Sequence, residues 1–472
     1  MSYSKRYAWQ ERCLDAWAVN HYRGTVQAVT GAGKTMLALK AIQRLEQETG
    51  CSVLVRVVVP TKSLMSQWEN AIKKEKLITE FEGDMSNCIT KVGCRGGGRK
   101  DSPERKYVIY VINSARYQLA RSILGDLKKG RSVFLIADEC HHYFSGENRR
   151  IFDFVPLLSK QPGNYYSLGL SATLKEKDAA SVLEDTLGKK IFDYSIEQAL
   201  RCGTVCDFVI YQIALSFLPE ELAEYEKLSD ELMAIRSRLC TAYPLLKEKG
   251  IPFFGIVKSL SEGKNVKLAR LARTFLNLAY QRKRITCMAQ NRISCTCQLL
   301  EKIGSEKQCI IFGESIEQTE QLYHRISRHY GNKVGRYHSK MGQQANRNAL
   351  ERFRNGELRI LISCRALDEG VDVPDAAVGI ILSGTSVERQ RIQRLGRLIR
   401  KGEEEKCAEL YYLFVKESKE EKSYFPLRGE TFKTVDLEFI SSVDITECND
   451  ARVKRSKSRS CLHDKAFELG TH

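Results

Sequence analysis

Residues Gly24 to Gln47 place a strand, a glycine-rich turn and a helix in immediate succession. Gly24, Thr25, Val26, Gln27, Ala28 and Val29 read as a strand, and Met36 to Gln47 form an amphipathic run at helical spacing. Between them lie Thr30, Gly31, Ala32, Gly33, Lys34 and Thr35. Such a turn cradles phosphate, because glycines let backbone N–H groups approach the oxygens and the helix N-terminus adds positive potential. Thr30, Gly31, Ala32 and Gly33 form the cradle, Lys34 is placed for the β and γ phosphates, and Thr35 offers a hydroxyl to Mg²⁺. Ala28 stands where the phosphate-binding pattern has its first glycine; alanine is small, so the turn is expected to survive. The unit predicts an α/β fold with parallel strands flanked by helices.

A second stretch points to the same ligand. Val133, Phe134, Leu135, Ile136 and Ala137 form a continuous apolar run, the pattern of a strand buried on both faces of a parallel sheet. Asp138, Glu139, Cys140, His141 and His142 follow at once, and all five could bind a metal. Zinc would require four ligands in a tetrahedron, which consecutive residues supply poorly. A nucleotide site needs less. Asp138 would hold the Mg²⁺ that Thr35 also touches, and Glu139 would orient or deprotonate the attacking water. Adjacent strand residues point to opposite sides, so the turn at the strand end must bring both carboxylates to the nucleotide. A metal-dependent hydrolase built on Asp138 to His142 is the weaker alternative.

Composition bears on partners and compartment. At 472 residues, with 43% hydrophobic, the chain predicts two or three domains with sizeable cores. Lys and Arg number 75 against 58 acids, a net charge of +17, which suits a polyanion partner; a basic surface without one is the alternative. Met1 to Gln10 lack a signal-peptide core, and no apolar run approaches the roughly 20 residues that span a bilayer. A cytoplasmic location follows, with the nucleus as alternative and no membrane partner. The 16 cysteines never occur as C-x-x-C and read as reduced thiols.

Further motifs follow in a fixed order. Gln10 lies within Tyr7–Glu11, and Pro60 to Trp68 read PTKSLMSQW. Ser171, Ala172 and Thr173 follow Leu168–Leu170. Ile310–Gly313, Leu367–Asp375 running on into Val378–Gly384, and Gln393–Arg400 complete the set. With Asp138, Glu139, Cys140 and His141 as a variant Asp-Glu-x-His box, the ordered set resembles the superfamily 2 helicases and translocases over residues 7 to 415. Within that superfamily it is most similar to the XPB-like DNA translocases.

The resemblance implies two tandem RecA-like domains with a helical, thumb-like insertion. It implies that Gln10 reads adenine and that Thr61 and Lys62 touch nucleic acid. His141, with Ser171, Thr173 and Gln393, would couple nucleotide state to movement. Gly370 and Asp372 would contact the nucleotide, and Arg365 a nucleic-acid phosphate. Arg397 and Arg400, three apart and so on one helical face, would point across a cleft at the γ phosphate. A thumb insert would grip DNA through a basic segment holding Arg270, Arg273, Arg282, Lys283, Arg284 and Arg292. Two departures stand out. The chain opens almost at Gln10, so the family's N-terminal damage-recognition region is expected to be missing. The family's Arg-Glu-Asp loop has no clean counterpart in Thr173–Asp178.

The expected organisation has four parts. Residues 1–200 form the first RecA-like domain, with residues 95–105 as a glycine-rich loop. Residues 201–304 hold a linking strand, Phe208–Leu215, and the helical insertion, where Leu222, Tyr225, Leu228, Leu232 and Ile235 recur at helical spacing. Residues 305–415 form the second RecA-like domain, and 416–472 an extension with a basic tail, Arg452–Arg459. The expected function is an ATP- and Mg²⁺-dependent nucleic-acid helicase or translocase. Double-stranded DNA is favoured through the resemblance and RNA is the alternative. The rival class is an ATP-gated clamp that recruits a partner such as a nuclease.

Overall fold

The computed structural model describes residues 7–74, 92–144, 146–174, 183–248, 251–304, 306–364, 376–383, 407–418, 420, 432–440 and 444–447. Among these residues the chain forms two eight-stranded sheets, the second of which carries a helical insertion between two of its strands.

The first sheet contains β1 (Arg23–Ala28), β2 (Leu54–Val59), β3 (Gly93–Gly96), β4 (Arg99–Lys100), β5 (Tyr107–Val111), β6 (Val133–Asp138), β7 (Tyr165–Ser171) and β8 (Lys190–Tyr194). Its order is β4-β3-β5-β2-β6-β7-β1-β8, parallel throughout except for the β3–β4 hairpin. Helices cover both faces of a parallel sheet, so the central strands are mostly apolar on both faces, and the one arginine on β2, Arg56, is buried against Asp126. Val55, Val57, Val58 and Val59 on β2, and Phe134, Leu135 and Ile136 on β6, are accordingly fully buried. The order has a functional consequence. The carboxyl ends of β2, β6, β7 and β1 lie side by side, and these ends carry Pro60, Asp138, Ser171 and the glycine loop.

The glycine-rich stretch read as a loop contains a hairpin. β3 and β4 pair antiparallel through Arg95 with Lys100 and Gly96 with Arg99. Gly97 and Gly98 make the turn at φ of 64° and 97°, conformations that side chains disfavour.

The second sheet runs β11-β12-β10-β13-β14-β9-β15-β16. Its strands are β9 (Asp207–Leu215), β10 (Cys309–Gly313), β11 (Val334–Tyr337), β12 (Ile360–Cys364), β13 (Val378–Ile381), β14 (Cys407–Val415), β15 (Lys433–Ile440) and β16 (Asp444–Glu447). Strand β9, read from sequence as a link, lies inside this sheet, in parallel register with β14 from Asp207–Cys407 to Leu215–Val415. Strand β15, from the segment read as an extension, covers its other edge. The reason is burial: Phe208, Ile210, Ile213 and Leu215 are apolar and inaccessible, and a strand so buried needs a ladder on each side.

Between β9 and β10 the insertion consists of the helices Pro219–Ala242, Phe253–Ser261, Val266–Met288 and Gln290–Ile303. It has an apolar cluster of its own, with Leu232, Leu239, Val257, Ala272 and Phe275 at the centre. No helix among the described residues is long and apolar enough to cross a membrane. Arg365, Gly370, Asp372, Gln393, Arg397 and Arg400 lie outside the described residues, as do most of Thr173–Asp178 and the whole tail Arg452–Arg459.

Candidate nucleotide site

The glycine loop joins β1 to the helix Lys34–Thr49. Gly31 and Gly33 adopt φ of 88° and 91°, and a Cβ on Gly33 would come 3.1 Å from Gln10 Nε2. Backbone handedness and space both demand glycine at position 33. Ala32 is fully buried. Thr35 opens the helix half-buried. The Lys34 ammonium donates to the Ala28 carbonyl at 3.0 Å, so it is folded over the loop it would share with phosphate.

Gln10 lies in the helix Ala8–Val19 and is fully buried. Its Nε2 donates to the Gly33 carbonyl at 3.2 Å, which ties this helix to the loop. Among the described residues its Oε1 has no partner, nor has the buried hydroxyl of Thr30. Buried polar atoms are normally bonded. An unmatched amide oxygen and an unmatched hydroxyl beside a phosphate-type loop fit a nucleotide, and ATP offers an amino donor to the first and phosphate oxygens to the second.

Asp138 ends β6 and is buried. One carboxylate oxygen accepts the Trp68 indole N–H at 2.8 Å, and the other accepts the Glu139 backbone N–H at 3.0 Å. Burial pushes the Asp138 carboxyl above the usual carboxylate range, opposed by the Trp68 bond, the Lys34 charge and the Glu139 N–H. A divalent cation here would offset the cost of that buried charge, so Asp138 and Thr35 fit Mg²⁺.

Glu139 occupies the left-handed region, with φ 49° and ψ 48°. A non-glycine residue there costs on the order of 1–3 kcal/mol, and such strain concentrates at functional sites. This turn breaks the strand alternation and lets Asp138 and Glu139 serve one site. Glu139 Oε2 lies 3.3 Å from His141 Nδ1. The same nitrogen lies 2.8 Å from Ser171 Oγ. Ser171 Oγ donates to the Thr173 carbonyl at 2.8 Å and accepts the Thr173 N–H at 3.1 Å, while Leu174 N donates to Gln27 on β1 at 3.0 Å. The ends of β6, β7 and β1 are therefore joined by side chains. The His142 ring lies tilted against that of His141, centroids 4.2 Å apart, and the His142 carbonyl accepts from Asn148 at 2.8 Å. Among the described residues no cluster of His, Cys, Asp or Glu has the geometry to hold a metal ion by itself.

Two contributors were not legible in the sequence. The Tyr143 hydroxyl donates to the carbonyls of Asp138 at 2.7 Å and Val58 at 3.2 Å, pinning β6 to β2 just before the site. Trp68, inside the quoted PTKSLMSQW stretch, reaches Asp138 across 70 residues of chain.

The residues expected to meet nucleic acid are spread out. Thr61 caps the helix Lys62–Lys74 by accepting the Leu64 N–H at 3.3 Å. Lys62 is exposed, with its stem against Gly97. In the insertion, Lys283 pairs with Glu314 and Arg284 with Glu317, each at 2.8 Å, and Arg282 sits over the Tyr225 ring at 5.6 Å. The two ion pairs hold the Val266–Met288 helix to the segment after β10, and the Arg282–Tyr225 contact holds it to the Pro219–Ala242 helix. Arg292, grouped with this basic segment from sequence, is not a surface residue. It is fully buried, donates to the carbonyls of Thr286, Leu382 and Leu413 at 2.8, 2.6 and 3.1 Å, and pairs with Glu420.

Comparison with known proteins agrees with this geometry. Residues 4–176 match the family described as type III restriction enzyme, res subunit, and residues 291–402 match the helicase conserved C-terminal domain. The DNA 3'-5' translocase XPB2 of Sulfurisphaera tokodaii is 29% identical over 84% of this chain and 79% of its own length. A relative named Rad25 in Halobacterium salinarum is 24% identical over 84% of this chain, which spans 51% of that longer protein. The Hef helicase domain of Pyrococcus furiosus shares the fold, with a TM-score of 0.51 at 17% identity over 90% of this chain and 97% of that one. A phosphate-cradling loop, an Asp-Glu-x-His box on the adjoining strand ends and a matched C-terminal helicase domain occur here in one chain, which is similar in these respects to the superfamily 2 helicases, enzymes that hydrolyse ATP.

Proposed function

We propose that this chain is an ATP-dependent translocase acting on double-stranded DNA. The observation that carries the reading is the strand order β2-β6-β7-β1, which brings the start of the Lys62–Lys74 helix, the Asp138–Glu139 pair, Ser171 and the glycine loop to one edge. The similarity to a DNA translocase across most of the chain supports DNA as the substrate.

In this reading the Lys34 ammonium leaves the Ala28 carbonyl for the β and γ phosphates, and the amide groups of Gly31 to Thr35 surround them. Asp138 and Thr35 would hold Mg²⁺, which would neutralise phosphate charge when bound. Glu139 orients the attacking water and takes its proton. His141 feels the state of Glu139 and passes it to Ser171 and Thr173, and so to the segment beyond β7. Arg397 and Arg400 from the second domain supply positive charge to the transferring phosphoryl group, where one arginine contributes a factor of about 10³–10⁵. Hydrolysis then requires the two domains to close, and closing and opening move the nucleic acid. Gly370, Asp372 and Gln393 line this second side, and Thr61, Lys62 and Arg365 track the phosphate backbone.

The test is ATP hydrolysis with duplex DNA, single-stranded DNA and RNA compared at one stated salt concentration. Duplex DNA should stimulate most, and either Lys34→Ala or Glu139→Gln should abolish the stimulated rate. Equal stimulation by RNA would turn the substrate assignment to RNA, and an unaffected rate in Glu139→Gln protein would remove that residue from the mechanism. Displacement of a third strand from a triplex separates a moving motor from an ATP-gated clamp that waits for a nuclease.

A further inference from the structure

We propose that Trp68 is a positioning residue for Asp138 and the link through which nucleic-acid engagement of the Lys62–Lys74 helix reaches the magnesium carboxylate. The inference rests on the reading of Asp138 as a magnesium carboxylate and of Thr61 and Lys62 as nucleic-acid contacts.

The indole N–H of Trp68 is 2.8 Å from Asp138 Oδ2, and both side chains are buried. Each Asp138 oxygen thus has one protein donor, Trp68 on one and the Glu139 amide on the other. A carboxylate offers about four lone-pair sites, so each oxygen keeps one for the metal and its waters. An indole is a donor that cannot ionise. It aligns the carboxylate without cancelling the negative charge, which lysine or arginine at this point would do.

Packing alone does not account for the bond. Trp17 shows how a purely structural tryptophan is satisfied, since it donates to the Ser167 backbone carbonyl at 2.9 Å. Trp68 spends its one donor on a carboxylate. The helix that carries it buries Met65, Trp68 and Ile72 on one face, and it begins at Lys62, which is exposed. Trp68 sits six residues further on, about 9 Å along a rigid rod. A shift of the helix start by nucleic acid is therefore delivered to a single hydrogen bond, whose strength falls steeply with distance and angle.

The experiment measures binding of fluorescent mant-ADP to the full chain as Mg²⁺ is titrated, with and without saturating duplex DNA. Trp68→Phe keeps the aromatic bulk and removes the donor. It should raise the Mg²⁺ concentration at half-effect by about tenfold, the scale of second-shell losses, and leave mant-ADP affinity in EDTA unchanged. In an Asp138→Asn background the same change should add nothing. DNA should shift the Mg²⁺ requirement of the wild type and no longer shift that of Trp68→Phe. A wild-type Mg²⁺ requirement in Trp68→Phe protein, or an equal loss of affinity in EDTA, would overturn the positioning role. An undiminished DNA effect would overturn the link. If Asp138→Asn itself leaves the Mg²⁺ requirement unchanged, the metal reading fails first and the inference with it. Should Trp68→Phe not fold, Trp68→3-benzothienylalanine replaces only the N–H by sulfur and is read against the same outcomes.

Discussion

The Nδ1 of His141 lies 2.8 Å from the hydroxyl of Ser171, joining the end of β6 to the end of β7. Ser171 commits its own proton to the Thr173 carbonyl, so it accepts from His141, whose Nδ1 carries a proton. Ser171→Ala removes the bond and leaves the glycine loop, Asp138 and Glu139 in place. ATP hydrolysis without nucleic acid should stay within about threefold of wild type, and strand displacement per ATP should fall about tenfold, the usual scale of a coupling energy. Parallel phosphate-release and triplex-displacement assays check both halves.

Gln10 presents a buried Oε1 with no partner among the described residues, beside the loop that its Nε2 already holds. An adenine amino group would satisfy that acceptor, and a guanine carbonyl would repel it. Gln10→Ala should therefore lower the preference for ATP over GTP by about tenfold, the worth of one such bond. Competition of ATP and GTP against a fluorescent nucleotide gives the ratio directly, and an unchanged ratio would free Gln10 from base recognition.

Arg292 holds carbonyls at the ends of β13 and β14 and pairs with Glu420 while fully buried. Arg292→Met fills similar volume but strands Glu420 and the carbonyls. Breaking a buried pair from one side costs about 3–5 kcal/mol. A clear fall in the urea midpoint is expected, larger than that for Lys283→Met, whose pair with Glu314 is about half exposed on the lysine side.

The Arg99 guanidinium, helped by Lys73, pulls the Glu69 carboxyl from its ordinary value of 4.5 down to about 2. A carboxyl depressed by folding stabilises the folded state above its unfolded pKa and loses that contribution as pH falls towards its folded pKa. Glu69→Gln should be less stable than wild type at pH 7, by about 1 kcal/mol because the Arg99 end is open to solvent. The gap should close between about pH 4.5 and pH 2. Denaturation midpoints at pH 7 and at the acid end of that window measure it.

The sequence by itself determined what depends on short-range chemistry. The strand, glycine turn and helix at the nucleotide loop appear within a residue or two of where their pattern places them, because a phosphate turn needs glycine at positive φ and the helix after it shows its apolar spacing locally. The ordered motifs carry the resemblance to the superfamily for the same reason, since each is a local arrangement. Tertiary structure alone decided the rest. Strand β9 entered the second sheet because its partners β14 and β15 lie some 200 residues further along. Arg292 looked like one more surface cation until the sheet ends closed over it. Trp68 and Asp138 are 70 residues apart, and only adjacent β2 and β6 make them neighbours. Side-chain partners set by strand order leave no periodicity along the chain, so no reading of neighbouring residues could have paired them.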